Sequence, residues 1–293
     1  MREPRLAIIG GTGLGTRLRE CLDPAGVEQH EIETPFGLPS DLITTGRLAE
    51  LEVALLARHG DSHQYNPTNV PYRANMFALK ALGCTHVVAS GATGSLSETI
   101  SPGDLVSCDQ LIDRTIHRPR TFYEHAAVHV ELADPCCPVL RAWLEISAAS
   151  SETNFHGSGT YLCMEGPAFS TRAESNMHRL AGADLVGMTA MPEARLAREA
   201  ELAYALLALP TDWDCWRTSS EDSILDNVLA NLQKASDAAL DLLQRACMHP
   251  ESLAGTQSPA HRALDKAVFT DPATISPDER RRLAPLWGRV LQS

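Results

Sequence analysis

The sequence predicts one α/β domain, on three observations. Short apolar runs alternate with helical patterns, polar clusters close most of the runs, and one long amphipathic helix ends the alternation near residue 247. Leu6–Ile9 is apolar and stops at Gly10-Gly11-Thr12-Gly13, a strand followed by a tight turn. Val53–Ala57 is a second strand, stopped by Arg58-His59-Gly60. Tyr72–Leu82 carries Met76, Leu79 and Leu82 at helical spacing, with Gly83 as its stop. His86–Ala89 is a strand ending in Ser90-Gly91-Ala92-Thr93-Gly94, Leu105–Ile112 is β-like, and Tyr161–Met164 and Asp184–Met188 are short strands. Pro192–Leu202 is a helix with proline in its first turn, and Tyr204–Leu209 a strand ending in Thr211-Asp212-Trp213-Asp214. The long helix spans about Asp222 to Ala246, with Leu225, Val228, Leu229, Leu232, Ala235, Ala239, Leu242 and Leu243 as its stripe. Residues 248–293 form a C-terminal extension, a loop then a helix, to the domain of residues 1–247. Its helix starts with Ser276 as N-cap, Pro277 at the first position and Glu279 placed for a capping box.

Composition narrows the function. The chain has 293 residues, 44% of them hydrophobic, enough for a substantial core. Its 25 basic against 37 acidic residues give a net charge of −12, which excludes a general nucleic-acid or anionic-membrane binder. An anionic small substrate then needs a local site built from few groups. No window is long enough for a membrane span, and glycines interrupt the first apolar run, so it is not a signal peptide; the expectation is a cytoplasmic protein. Eight scattered cysteines without a CxxC pair read as free, buried thiols.

Four polar clusters fall where strands run out, the place where open α/β sheets bind ligands. The glycine loop fails the dinucleotide template, because Thr16 stands where a third glycine belongs. It is either a phosphate loop using backbone N–H groups and the Thr12 hydroxyl or a plain turn. Arg58 offers a donor fork for an oxyanion and His59 a donor to another oxygen; the bland alternative is a solvated turn. Thr189 could offer hydroxyl and N–H to an anion, or simply cap a helix. Asp212 and Asp214, two apart in an extended segment, point to one side and suit the 6-amino group of a purine; Asp214 could instead cap the next helix. His59/His63 and His125/His129 lack the glutamate of an HExxH helix, so no metal site is expected. No GxSxG, Walker or kinase signature occurs.

Together the stretches IIGGTGLG (8–15), TPFGLPSD (34–41), LLARHG (55–60), NPTNVPYRANMFALKALGCTHV (66–87), GSLSETISPGDLV (94–106), DQLIDRT (109–115), MEGPAFSTRAES (164–175), GMTAMPEARLAREAELAYA (187–205) and TDWDCW (211–216) resemble the methylthioadenosine phosphorylases of the trimeric purine nucleoside phosphorylase family. The resemblance implies a mixed, partly barrel-like β-sheet flanked by helices and a homotrimer with interfacial active sites. It implies reversible phosphorolysis of 5'-methylthioadenosine to adenine and 5-methylthioribose 1-phosphate, a salvage reaction. Inorganic phosphate is the co-substrate, with no metal or organic cofactor.

By position, the resemblance assigns Thr12, Arg58, His59, Ala92 and Thr189 to phosphate, Met188 to the ribose, and Asp212 and Asp214 to the adenine. Phe169 would stack near the base, His129 would reach the sugar 5' end of a neighbouring subunit, and Leu225 and Val228 would wrap the methylthio group. Gly91 lacks the hydroxyl usual there, with Ser90 the nearest substitute. Ser170 and Asp212 favour a 6-amino purine, whereas Gly187 matches the methylthioinosine phosphorylases, so methylthioinosine or ordinary purine nucleosides are the alternative substrates. A nicotinamide-dependent dehydrogenase and a non-catalytic protein on a decayed phosphorylase scaffold are the rival classes.

Overall fold

The computed structural model describes residues 4–11, 14–217 and 224–291, without the side chains of residues 16 and 224–227. Thr12 and Asp222 therefore lie outside the described residues, as does the side chain of Leu225.

The described strands are β1 (Leu6–Gly10), β2 (Glu28–His30), β3 (Ile43–Leu48), β4 (Leu51–Ala57), β5 (His86–Ser95), β6 (Leu105–Cys108), β7 (Gln110–Asp113), β8 (Phe155–His156), β9 (Thr160–Cys163), β10 (Leu185–Gly187) and β11 (Ala203–Asp212). They form one mixed sheet in the order β2-β3-β4-β1-β5-β10-β9-β7, with β11, β6 and β8 branching from β5. β1 runs parallel to β4 and β5; β5 runs parallel to β11 and antiparallel to β10. The sheet curls through β5, β10, β9 and β7 on one arm and β11 and β6 on the other without closing.

Alternation along β1 shows why these runs are apolar throughout. Ala7 and Ile9 enter one core and Leu6 and Ile8 the other, so both faces are buried. Helices cover both sides: α1 (Gly15–Glu20), α3 (Pro138–Ala148), α6 (Ile224–Cys247) and α7 (Glu251–Ala254) on the Leu6 side, and α2 (Tyr72–Ala81), α5 (Ala190–Glu199) and α9 (Ala284–Leu291) on the Ala7 side. Two more, α4 (Arg172–Leu180) and α8 (Pro277–Arg282), complete the set.

The differences from expectation have local causes. β5 does not stop at Ala89 but runs on to Ser95, because β11 pairs with it as far as Gly94 and satisfies the backbone of a segment whose one apolar side chain is Ala92. The β-like stretch 105–112 is two strands, broken at Asp109 where the chain changes arms. Met191, at φ −117° and ψ 136°, interrupts α5, so regular helix starts at Pro192 and ends at Glu199. In α6, Ala235, Ala239, Leu242 and Leu243 are fully buried, but Leu229 is 56% exposed because the first turns of the helix extend past the core.

The C-terminal residues pack into the same cores. Leu253 and Ala260 join the Leu6 side, and Leu264, Leu283, Leu286 and Trp287 the Ala7 side. Trp287 is fully buried and stacks on Tyr123, with ring centres 5.0 Å apart. Ser276 caps α8 by accepting the Glu279 N–H at 3.2 Å, but only half the capping box forms. The Glu279 carboxylate turns to Arg282 instead, at 2.6 and 2.8 Å. All eight cysteines are free, six buried and two half-buried.

Glu199 makes this region pH-sensitive. Its buried carboxylate accepts the Phe122 N–H at 2.9 Å and the Thr121 hydroxyl at 3.1 Å. Burial outweighs both bonds and pushes the carboxyl up to about 7. The acid is thus favoured in the fold: its contribution is complete below the usual glutamate pKa and is lost as pH rises through about 7. Between pH 5 and pH 8 the melting temperature of the wild type should fall further than that of Glu199→Gln. Parallel stability curves would show that Glu199 does not titrate this way.

Candidate active site

The ends of β1 and β4, the middle of β5 and the start of α5 meet at one corner. Arg58 leaves the end of β4 with its side chain 1% exposed. Its Nε and Nη2 donate to the Glu193 carboxylate at 2.8 and 3.0 Å, and Nη1 donates to the Ser90 carbonyl at 2.7 Å. Tyr204 donates its hydroxyl to Glu193 Oε1 at 2.9 Å. Of the five guanidinium N–H groups two remain, one on each terminal nitrogen. Nη1 borders the glycine loop, 3.4 Å from where a Gly11 Cβ would stand. Gly11 also lies against Gly91, and a Cβ at Gly91 would meet Thr189 Oγ1 at 3.4 Å. Arg58, Gly11, Gly91 and Thr189 are therefore consecutive neighbours around one small space.

Two donor assignments change here. His59 Nδ1 bonds the Tyr65 carbonyl at 2.8 Å, so Nδ1 carries the hydrogen and Nε2 is left an acceptor. Burial, reinforced by the Arg58 charge, pulls the imidazole down to about 4 and keeps it neutral near pH 7. The Thr189 N–H is already donated to the Tyr161 hydroxyl at 3.2 Å, which leaves its own hydroxyl as the group to offer. Ser90, the nearest hydroxyl to Gly91, is fully buried, and its Oγ accepts the Gly11 N–H at 3.2 Å while keeping its own O–H. Ala92 is the one exposed residue of β5, and with half-buried Gly94 it marks a cleft over the middle of the strand.

Across that cleft stand Asp212 and Asp214. Asp212 ends β11; the chain then turns, with Asp214 at φ 49°, so the two are not related by strand alternation. The Asp214 N–H donates to Asp212 Oδ1 at 2.7 Å, and the Thr211 hydroxyl to Oδ2 at 2.7 Å. Both aspartates still border Gly94, where a Cβ would lie 3.1 Å from Asp214 Cβ and 3.3 Å from Asp212 Oδ1. Burial raises the Asp212 carboxyl above its ordinary value, helped by the Asp214 charge, against the two bonds it accepts. Asp214 Oδ2 is buried with no partner among the described residues. Trp216 pins the turn by donating to the Ser95 carbonyl at 2.8 Å, and Arg179 lies 3.7 Å over its ring.

The remaining expected residues divide. Ser170 reaches this turn, accepting the Cys215 thiol at its carbonyl (3.3 Å). Met188 packs on Gly166, and half-buried Val228 sits in the first turns of α6, which Asn231 ties to the Thr211 carbonyl at 2.9 Å. Phe169 is 87% exposed. His129 is exposed and packs on Phe269 at 5.1 Å, its backbone N–H bonded to the Ala267 carbonyl, apart from the cleft residues.

Sequence reasoning missed four charged or polar groups. Glu193 and Tyr204 fix Arg58; Arg118 and Glu165 fix the chain around Met188. Buried Arg118 donates to the carbonyls of Met188, Met191 and Glu165 at 2.6, 2.7 and 2.6 Å, and to Glu165 Oε1 at 3.0 Å. Glu165 accepts further hydrogen bonds from Ile116, His117 and Thr68, and its carboxyl is held near 2. One signal existed: a glutamate directly after Met-Thr-Ala-Met-Pro, in a helix with a buried face, needs a cationic partner. Among the described residues no cluster of His, Cys, Asp and Glu is arranged to hold a metal, and no helix is long and apolar enough to cross a membrane.

Fold and site define an α/β protein with spare donors at the Arg58–Thr189 corner on one side of β5 and a carboxylate pair on the other. Residues 5–247 match the model of the phosphorylase superfamily. The chain is 41% identical to the S-methyl-5'-thioadenosine phosphorylase of Thermosynechococcus vestitus, covering 98% of this chain and 99% of that one. It is 42% identical to that of Geobacter sulfurreducens, with the same coverage. Among solved structures it resembles a methylthioadenosine phosphorylase from an antarctic soil metagenomic library (TM-score 0.87, 43% identity, 97% of this chain and 99% of that one). It also resembles the Schistosoma mansoni methylthioadenosine phosphorylase in complex with adenine (TM-score 0.81, 33% identity, 91% and 99% covered). The chain belongs to the phosphorylase superfamily, among its S-methyl-5'-thioadenosine phosphorylases.

Proposed function

We propose that this protein catalyses the reversible phosphorolysis of 5'-methylthioadenosine, giving adenine and 5-methylthioribose 1-phosphate. It is a pentosyltransferase of the purine nucleoside phosphorylase type. The observation that carries the substrate reading is the cleft itself: spare Arg58 N–H groups and the Thr189 hydroxyl on one side of β5, and an unpartnered, buried Asp214 oxygen beside Asp212 on the other. Phosphate takes the Arg58 side, with Thr12, Ala92 and His59 around it. Neutral His59 accepts the hydrogen of the hydrogenphosphate dianion. The purine takes the aspartate side, where an amino group donates and a 6-oxo group would face oxygen with oxygen.

Bond breaking puts negative charge on the purine and positive charge on C1'. Asp212, raised by burial, supplies or relays a proton to N7, while the phosphate held against C1' provides both nucleophile and opposing charge. Phosphate-dependent release of adenine from a nucleoside panel tests this. Release without phosphate, or no release, would refute it. Gly187, in the Gly-Met-Thr that resembles the methylthioinosine phosphorylases, makes methylthioinosine the alternative substrate.

Phe169 and His129, both exposed here, acquire partners if active sites form between copies of the chain. We therefore propose a homotrimer in which a neighbouring copy supplies His129. Light scattering should find a trimer as the active species; a fully active monomer would exclude a borrowed His129.

A further inference from the structure

Beside the middle of the cleft lies a buried cation that the proposed reaction does not use. β10 runs antiparallel to β5, with Val186 paired to Gly94 at the aspartate end, and the chain then reaches Thr189 against Gly91 at the Arg58 corner. Met188 therefore lies along the interval between base and phosphate, where the pentose that passes from one to the other must sit. It is half-buried, between buried Gly187 and buried Thr189. Its side chain is seated on Gly166: a Cβ there would stand 2.5 Å from Met188 Sδ, and Gly166 holds φ 70°, a conformation that favours glycine.

Arg118 ties together the two backbones that flank this contact. Its side chain is fully buried. Nη2 donates to the Glu165 carbonyl, next to Gly166, at 2.6 Å; Nη1 donates to the Met188 carbonyl at 2.6 Å and the Met191 carbonyl at 2.7 Å. Nε donates to the Glu165 carboxylate at 3.0 Å, which also accepts from Thr68, Ile116 and His117. A planar guanidinium can serve acceptors in several directions at once, and a lysine ammonium cannot reproduce that spacing. Thr189, one residue on, has tethers of its own: its N–H donates to Tyr161 Oη at 3.2 Å, and the Met191 N–H donates to Cys163 Sγ at 3.3 Å.

We propose that Arg118 and Gly166 are positioning residues for the sugar. The guanidinium fixes the spacing between the Glu165 and Met188 backbones, and the bare Gly166 gives the thioether its seat, so that Met188 presents its apolar surface to the pentose at a fixed depth. The inference rests on the placement of phosphate and purine proposed above.

The test is steady-state kinetics with phosphate and methylthioadenosine varied separately. Arg118→Lys keeps the charge and loses the fork. It should raise KM for the nucleoside about 5- to 10-fold, while KM for phosphate changes less than about threefold because Thr189 keeps its own tethers. Gly166→Ala leaves the ion pair in place but displaces the thioether, and should raise nucleoside KM by a similar factor; it carries the test where Arg118→Lys does not fold. Met188→Ala should raise nucleoside KM by itself, and in that background each of the other two changes should add less than about twofold. Two results separate the levels of failure. If Met188→Ala leaves nucleoside KM unchanged, the sugar does not lie against it, and the placement of the substrates falls together with this inference. If Met188→Ala raises nucleoside KM but Gly166→Ala does not, or Arg118→Lys raises both Michaelis constants equally or neither, Arg118 and Gly166 serve only the fold.

Discussion

Arg58→Ala is expected to raise KM for phosphate on the order of 10- to 100-fold and KM for nucleoside by less than about threefold. A hydrogen bond to a charged group is worth roughly 1.5–3 kcal/mol, and two guanidinium N–H groups remain for the anion after Glu193 and Ser90 are served. The substitution also strands Glu193, both partners of this pair being 1% exposed. Removing one member of a buried ion pair costs about 3–5 kcal/mol of stability, so Arg58→Ala should also melt earlier. Arg58→Met combined with Glu193→Gln separates the two effects. It removes the buried charge along with its partner, and should recover stability without recovering phosphate affinity. Equal rises in both Michaelis constants, or recovery of phosphate KM in the double variant, would show that Arg58 serves the fold and not the anion.

Asp212→Asn is expected to shift the ratio of kcat/KM for methylthioadenosine over methylthioinosine by about 5- to 150-fold toward the 6-oxo substrate. Unpaired polar groups in a dry site cost roughly 1–3 kcal/mol, which sets that range. Asparagine keeps the shape and its oxygen can still accept the Asp214 N–H, while its amide nitrogen takes the place of the oxygen that faced the Thr211 hydroxyl, which can turn to the Thr93 carbonyl at 3.3 Å. It supplies a donor to the base but cannot supply a proton to N7. Methylthioadenosine cleavage should therefore slow even where binding survives. Because burial raises the Asp212 carboxyl, the wild type should lose activity as pH rises past that pKa if the protonated form is the working one. The asparagine variant should lack that limb. An unchanged substrate ratio would leave Asp212 as a turn-forming carboxylate that happens to face the cleft.

Most of the site was legible in the sequence because it lies at strand ends. Gly10-Gly11, Arg58-His59 and Thr189 each interrupt an apolar run, and such interruptions show in a single chain. What those groups donate or accept was not legible. His59 became an acceptor through a carbonyl six residues away, Thr189 lost its amide to a tyrosine on another strand, and Arg58 lost two of its five N–H groups to Glu193, 135 positions along the chain. Pairs this distant leave no periodicity or spacing to detect. The C-terminal segment was legible at the Ser276 cap and Pro277 start of α8, but its packing was not, for a different reason. Its helices are too short to show a stripe, and Trp287 gains its place only by stacking on Tyr123.

The sequence by itself determined the alternating α/β class, the two-sided burial of β1, the stop of α2 at Gly83 and the set of polar clusters from which any site had to be drawn. These follow from local patterning, which each segment carries whatever its neighbours do. Tertiary structure alone decided that β5 continues past Ala89 into the cleft, because a polar stretch becomes a strand only when β11 pairs with it. It also decided which donors at the Arg58 corner are spent and which are spare. Hydrogen-bonding capacity belongs to residue types, but its allocation belongs to the partners that folding brings within 3 Å of one another.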